Sequence, residues 1–199
     1  MDATEHLLRT GGLAAVTTQA VARETGLAEG TLYRHFEGRD DLVASTIRER
    51  LPVDFDKLLE DLIGRAGQGD VETNLREFIT NAIPFFGVIA PFVGMLAAHP
   101  PLAARHFELL RGCGRGPRHS HEQVATYFRE EQRLGRVQSD IDAKAAAALV
   151  LGMCFERKLM AELFGEDPTG LTDEELPSQV AAILTRGLNE CVTTGNTIS

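Results

Sequence analysis

At 199 residues the chain is long enough for one domain, or for a small domain carried on a larger one, with an ample core. It is 43% hydrophobic and 25% charged, ordinary soluble globular composition, and its net charge of −9 excludes a generally basic coat for non-specific nucleic-acid binding. Three widely spaced cysteines (Cys113, Cys154 and Cys191) without a CxxC exclude a disulfide framework and favour a reducing cytoplasm, and the opening MDATEHLL has no basic and apolar pattern of a signal peptide.

In chain order the pattern is helical almost throughout. A first helix is expected over residues 3–10, with Leu7 and Leu8 inward and Gly11-Gly12 stopping it. Thr17 and Thr18 offer an N-cap hydroxyl to a helix running to about Thr25, and Gly26 supplies the left-handed residue that closes it. Leu27 and Ala28 turn the chain into a helix over 29–36. Gly38 then precedes a helix over 39–50, with Asp40 and Asp41 in its dipole-favoured first turn.

Pro52 marks a boundary, and further helices are expected near 54–65, 72–86, 91–98, 102–111, 119–134, 142–164 and 174–193. Alternating runs of β-branched residues are absent. The expected class is all-α: a three-helix amino-terminal domain over residues 1–51, then a larger helical domain over 52–199.

Residues 82–98 are almost wholly apolar but contain Pro84, Gly87, Pro91 and Gly94. A spanning helix wants about 20 apolar residues, so this shorter, interrupted run is not read as a membrane segment. Its two fragments, PFFG and PFVG, fit kinked helices around a cavity. Ligand-lining candidates there are Phe85, Phe86, Phe92, Met95 and Leu96, joined by Phe107, Phe128, Met153 and Met160 from neighbouring helices. Aromatic and methionine side chains make adaptable apolar pockets, which suits a hydrophobic or amphipathic small molecule.

Residues 145–155 are eleven consecutive non-polar residues, read as a helix buried on all sides, with Ala148 and Gly152 allowing another helix close. The last helix carries an apolar stripe of Val180, Ile183, Leu184, Gly187, Leu188 and Cys191. By themselves these stripes fit monomer core and partner surface equally.

Other chemistry finds little support. His99, His106, Cys113, His119 and His121 fall within 23 residues, but their spacing is irregular and no metal site is assigned. Cys113, between glycines and near Arg111 and Arg115, is a candidate redox thiol. There is no Gly-x-Ser-x-Gly, no HExxH, no phosphate-cradling loop and no dinucleotide fingerprint. The paired acids Asp40-Asp41, Glu130-Glu131 and Glu174-Glu175 read as first-turn or solvated residues. Neither an enzyme nor a cofactor is expected.

The segment that carries function is TTQAVARETGLAEGTLYRHFEGRDDL, residues 17–42. Two short helices across a glycine turn, followed by a third, are a DNA-reading arrangement. In projection Leu32 and Phe36 share the inner face of the second helix. Gly30 and Arg34 fall on the outer face, flanked by Tyr33, Thr31 and His35. These groups suit phosphate oxygens and base edges in a major groove.

That segment resembles the helix-turn-helix of the tetracycline-repressor (TetR) family of transcriptional regulators. The matching features are a Thr opening the second helix, Ala-x-x-x-Gly before the turn, Gly-Thr-Leu-Tyr-x-His-Phe in the recognition helix, and a cation and Leu in the fourth. The match spans about residues 3 to 50. It implies that Thr18 touches phosphate, that Thr31 and Tyr33 contact backbone or bases, and that His35 and Arg39 hold phosphates. Gly30 would admit the recognition helix to the groove. Arg34 stands at a variable position, and its role as base reader rests on the projection.

The resemblance also implies that residues 52–199 are a helical effector-binding and dimerisation domain, whose last two long helices pair with their copies as a four-helix homodimer interface. The expected function is therefore a homodimeric regulator, a repressor released from a palindromic double-stranded operator by a small molecule. An effector-binding dimer acting through protein partners without DNA is the alternative.

Four departures from the family pattern matter. Basic residues and a longer first helix before Ala3 are not seen, which fits a truncated start or affinity that relies less on an arm. Ala28 replaces the usual Ser or Thr cap of the recognition helix, at a cost of about 1 kcal/mol. Arg39 replaces the usual Lys and keeps the charge with a two-donor fork. Residues 1–51 hold six Arg, no Lys and eight acids, so binding must come from local placement of cations.

Overall fold

A computed structural model of the chain describes residues 2–50 and 54–189. Among them are ten helices and no strand. The chain packs as two compact units, Met1–Val53 with Gly87–His119, and Asp54–Phe86 with Ser120–Ser199.

The first unit holds α1 (Asp2–Ala15), α2 (Thr18–Thr25), α3 (Glu29–Tyr33), α4 (Arg39–Arg50), α7 (Pro100–Gly112) and the end of α6 (Val71–Ala98). Gly11-Gly12 bends the first helix instead of ending it. Gly12 leaves helical geometry at φ 64°, ψ −168°, and the helix resumes to Ala15. Leu13, Val16, Val21, Leu32, Leu42 and Ile47 meet in one core, which buries each side chain for about 1.5–3 kcal/mol. Residues 41–47 of α4 are all buried, so this helix is surrounded rather than half-exposed. Its polar members have partners: Asp41 accepts from the Glu37 amide at 3.0 Å, and Thr46 Oγ1 donates to the Leu42 carbonyl at 2.8 Å.

The second unit holds α5 (Asp54–Gly64), the start of α6, α8 (Pro117–Arg133) from Ser120 onward, α9 (Ala143–Phe164) and α10 (Glu175–Asn189). Its core runs from Phe55 and Leu59 through Leu75, Ile79 and Ile83 to Tyr127, Phe128 and Leu151. Asn74 ties the turn before α6 to this core by donating to the carbonyls of Arg65 and Gln68 and to the Tyr127 hydroxyl. Burial pushes the Tyr127 phenol well above its ordinary pKa. Asp142 caps α9 by accepting from the amides of Lys144 and Ala145, each at 2.8 Å. Thr172 and Glu175 cap α10 reciprocally, backbone amide to side chain in both directions.

Two further expectations are corrected. The apolar run that looked broken into separate helices lies in one helix of 28 residues, long and apolar enough to cross a membrane by length and composition. Pro84 and Pro91 both sit on its exposed side, each preceded by a buried residue, Ile83 and Ala90. The inner face, which packs on protein, is thereby kept free of the prolines. Such a helix is weak evidence for a membrane, because its Leu75, Phe78, Ile79, Ala82 and Ile83 are core residues.

The second correction concerns residues 145–155, which are not buried all round. Ala146, Ala147, Val150, Leu151 and Cys154 face the core, whereas Ala145, Ala148, Leu149 and Gly152 are exposed. With Leu149 63% exposed, Phe164 72% and Ile183 68%, α9 and α10 carry large apolar side chains that the single chain leaves in water. Of the stripe on the last helix, Cys191 lies outside the described residues.

Candidate nucleic-acid interface and effector-lining residues

The helix-turn-helix is built by local backbone chemistry. Thr17 caps α2 with its hydroxyl, which accepts the Ala20 amide at 3.0 Å. Gly26 ends the helix at φ 70°, ψ 13°, and the Leu27 amide reaches back to the Ala22 carbonyl at 3.1 Å. The Ala28 side chain makes no cap bond, so α3 starts on a backbone contact alone, Thr31 amide to Ala28 carbonyl at 2.8 Å. The recognition helix is five residues long, not the eight expected. After Tyr33 it tightens into a turn in which the amides of His35 and Phe36 both bond the Leu32 carbonyl. Leu32 is buried and Phe36 half-buried against the same core.

The outer face is as the projection describes. Gly30, Tyr33, Arg34 and His35 are exposed and Thr31 is half-buried, with Tyr33 at 57% exposure. Thr18 is already engaged. Its hydroxyl donates to Glu29 Oε1 at 2.6 Å and lies 3.2 Å from the Tyr33 hydroxyl. With its only proton given to the carboxylate, Thr18 accepts from Tyr33. This chain of bonds sets the phenol against the start of α2, and Glu29, which the sequence reading did not single out, is its anchor. Arg39 donates from Nη2 to the Leu13 carbonyl at 3.0 Å, so it ties α4 to the end of α1 with part of its fork.

Behind this face, α7 holds α4. Arg105 Nε donates to Asp41 Oδ1 at 2.9 Å, and its Nη1 to Glu108 Oε2 at 3.0 Å. His106 is buried and bonds the Ala44 backbone, while its Nδ1 has no hydrogen-bond partner. Burial holds the imidazole below its ordinary pKa of 6.5, the Ala44 bond opposing the shift only in part. Neither Arg105 nor His106 was legible as a partner of α4, because no local pattern links residues about 60 positions apart.

The folded imidazole is neutral where the unfolded one begins to protonate, so stability should fall as pH drops below about 6.5. We expect the thermal midpoint to decline between pH 7 and 5 more steeply in the native chain than in His106→Gln. Equal slopes would remove His106 as the cause.

The effector-lining candidates divide between the two units. In the second, Phe85 stacks on Phe55 with centroids 3.8 Å apart and planes 7° apart, and Phe86 meets Phe55, Phe85 and Phe155 edge-on. Phe128 is fully buried in that core, Met153 packs against it, and Met160 is half-buried on α9. Phe92, Met95 and Leu96 pack against the core of the first unit. Phe107 is 43% exposed on α7 and lines an open cleft of about 430 Å³ with Leu110, Arg111, Arg115, Pro117 and Arg118.

Cys113 is exposed; Cys154 is buried, and desolvation pushes its thiol up to about 12. Among the described residues no group of three His, Cys, Asp or Glu side chains is set to hold a metal ion.

Comparison with known proteins agrees with this geometry. Residues 1–46 match the family model of bacterial regulatory proteins, tetR family, and residues 92–186 match that of the AefR-like transcriptional repressor C-terminal domain. No curated protein matches the sequence. Among solved structures, the chain is similar to a TetR-family transcriptional regulator from Mesorhizobium loti (TM-score 0.70, 15% identity, 94% of this chain and 92% of that one). It is also similar to the transcriptional regulator FadR of Bacillus subtilis in complex with stearoyl-CoA (TM-score 0.64, 18% identity, 94% and 96%). SmeT, the repressor of the Stenotrophomonas maltophilia multidrug efflux pump SmeDEF, is a third (TM-score 0.60, 18% identity, 94% and 86%). At these identities the likeness establishes the fold.

Proposed function

The chain belongs to the tetR family of bacterial regulatory proteins, a transcriptional regulator and not an enzyme, and from that premise we propose that it is a homodimeric repressor released from a palindromic operator by an amphipathic small molecule. The observation that carries this reading is the outer face of α3. Tyr33, Arg34 and His35 stand exposed above a buried Leu32, on a helix whose Gly30 leaves room for close approach to a groove.

The homodimer is supported by the apolar face of α9 and α10. Leu149 and Ile183 are large and exposed, while Ala148 and Gly152 beside Leu149 let a partner backbone come near. Two-fold symmetry of the protein then calls for a two-fold operator, its half-sites about one DNA turn apart or a multiple of that. An amphipathic effector is supported by the aromatic and methionine clusters, and by the similar fold of FadR, which was solved with stearoyl-CoA. Release follows if the effector binds best the conformation whose recognition helices are wrongly spaced.

The test is selection from a random duplex pool with purified protein, followed by salt titration. Enrichment of a palindrome, with affinity falling steeply as salt rises, supports the operator reader. A folded dimer that enriches nothing overturns it and leaves the protein-partner alternative. Within the selected operator, Arg39→Ala should weaken specific and random DNA about equally. Arg34→Ala should instead lose discrimination, by about 1–3 kcal/mol at the base it reads. Equal effects of the two substitutions on both DNAs would defeat these roles.

A further inference from the structure

We propose that the cleft at the turn between α7 and α8 binds an amphiphile with an anionic head, a carboxylate or phosphate carried on an apolar body. The proposal deepens the ligand-released reading above, and rests on it only for the consequence at the operator.

The turn is the one strongly cationic stretch in an acidic chain. Residues 111–118, RGCGRGPR, carry three arginines and no acid, against a net charge of −9 for the whole. Backbone geometry gathers them. The Gly114 amide bonds the Arg111 carbonyl at 3.0 Å, and the Arg115 amide bonds the Leu110 carbonyl at 2.8 Å. Gly114 and Gly116 take φ of 68° and 113°, conformations that side-chain-bearing residues rarely adopt, before Pro117 opens α8. The result is a cleft lined by Phe107, Leu110 and Pro117 together with Arg111, Arg115 and Arg118.

Three features select the ligand class. The volume of about 430 Å³ lies within the range of small-molecule sites, and the lining includes no carboxylate. Guanidinium forks match carboxylate and phosphate oxygens with paired donors. The first turn of the 17-residue α8 also lacks an acid, so its amides and dipole add to the positive potential rather than being neutralised. A bare anion would leave Phe107 and Leu110 unused, and a neutral hydrophobe would leave the exposed Arg111 and Arg118 guanidiniums unused. The amphiphile uses both.

The test is calorimetric titration of the full chain, without DNA, with octyl phosphate and octanoate below their micelle concentrations. Inorganic phosphate and octyl-trimethylammonium are the comparison probes. We expect either or both alkyl anions to bind at least about tenfold more tightly than inorganic phosphate, and the cationic surfactant not to bind. The two alkyl anions distinguish a phosphate head from a carboxylate. Arg111 and Arg118 are exposed, so the double substitution Arg111→Gln/Arg118→Gln should fold normally and lose at least about tenfold in that affinity. Phe107→Gln should lose it too while leaving weak phosphate binding intact.

No binding of the alkyl anions, or equal binding by the arginine variant, overturns the proposal. So does a variant that keeps alkyl-anion binding but loses affinity for random duplex DNA, which would make the turn a DNA-backbone contact. Cleft binding that leaves operator affinity unchanged would sink the ligand-released reading and not this site.

Discussion

Leu149→Glu is expected to convert the proposed dimer to monomers and abolish operator binding, while the isolated chain keeps its fold. Leu149 is 63% exposed in the single chain, so a carboxylate there costs the monomer almost nothing. At an isologous interface the substitution counts twice, and each carboxylate would be desolvated against apolar neighbours, Ala148 and Gly152 among them on its own helix. A combined penalty of at least about 4 kcal/mol raises the dissociation constant at least about a thousandfold. Sedimentation against concentration measures this directly, with thermal unfolding as the control. A Leu149→Glu protein that remains dimeric at micromolar concentration would move the interface off this face of α9.

Arg157→Ala is expected to lower stability by about 3 kcal/mol, a fall of about 10 °C in the thermal midpoint for a chain of this size. The Arg157 guanidinium is buried and holds the connection between α9 and α10 through four partners. Its Nη1 pairs with Asp167 and bonds Thr169 Oγ1 at 3.3 Å; Nε reaches Asp173 Oδ1 at 3.0 Å and Nη2 the Leu171 carbonyl at 2.8 Å. Burial by itself would raise the carboxyls of both aspartates. Thr169 and Arg157 hold Asp167 below its ordinary value of 3.8, and Arg157 with Lys158 does so for Asp173.

Both carboxylates therefore contribute stability above pH 4 that is lost as pH falls through their lowered values. The alanine variant should show a shallower loss of stability at acid pH than the native chain. Arg157→Lys, which keeps the charge but not the fork, should fall between the two. A midpoint within 2–3 °C of the native chain would mean that water replaces the clasp.

The helix-turn-helix was legible because its determinants are local. Thr17 caps α2, Gly26 adopts the one conformation that ends it, and Leu32 and Phe36 lie four apart on a helix that has to bury them. Each of these is decided within a few residues of backbone, so a pattern in the chain carries the same information as the fold. The bend at Gly12 and the early end of α3 show the limit of that logic. Glycine spacing marks where the backbone may depart from a helix, but packing decides whether it stops or resumes.

The apolar run through α6 misled for a related reason. Pro84 and Pro91 are strong local breakers, yet both fall on the exposed side while Ile83 and Ala90 are buried. Long-range burial outweighed two lost backbone bonds. Residues 145–155 erred in the opposite direction. Composition alone cannot distinguish a helix enclosed by its own chain from one with a face left over, and only the packed unit exposes Leu149.

Sequence by itself determined the all-helical class, the family and which residues of α3 stand exposed above a buried Leu32, since capping, turn conformation and helical periodicity act over three or four residues. Tertiary structure decided which groups those residues answer to. Glu29 accepts the hydrogen bond of the Thr18 hydroxyl, the Leu13 carbonyl accepts one from the Arg39 fork, and Arg105 and His106 hold α4 from about 60 residues away. It also decided that three arginines share one cleft with Phe107, Leu110 and Pro117. Such pairings depend on which distant segments the core brings within bonding distance, and no spacing along the chain encodes that distance.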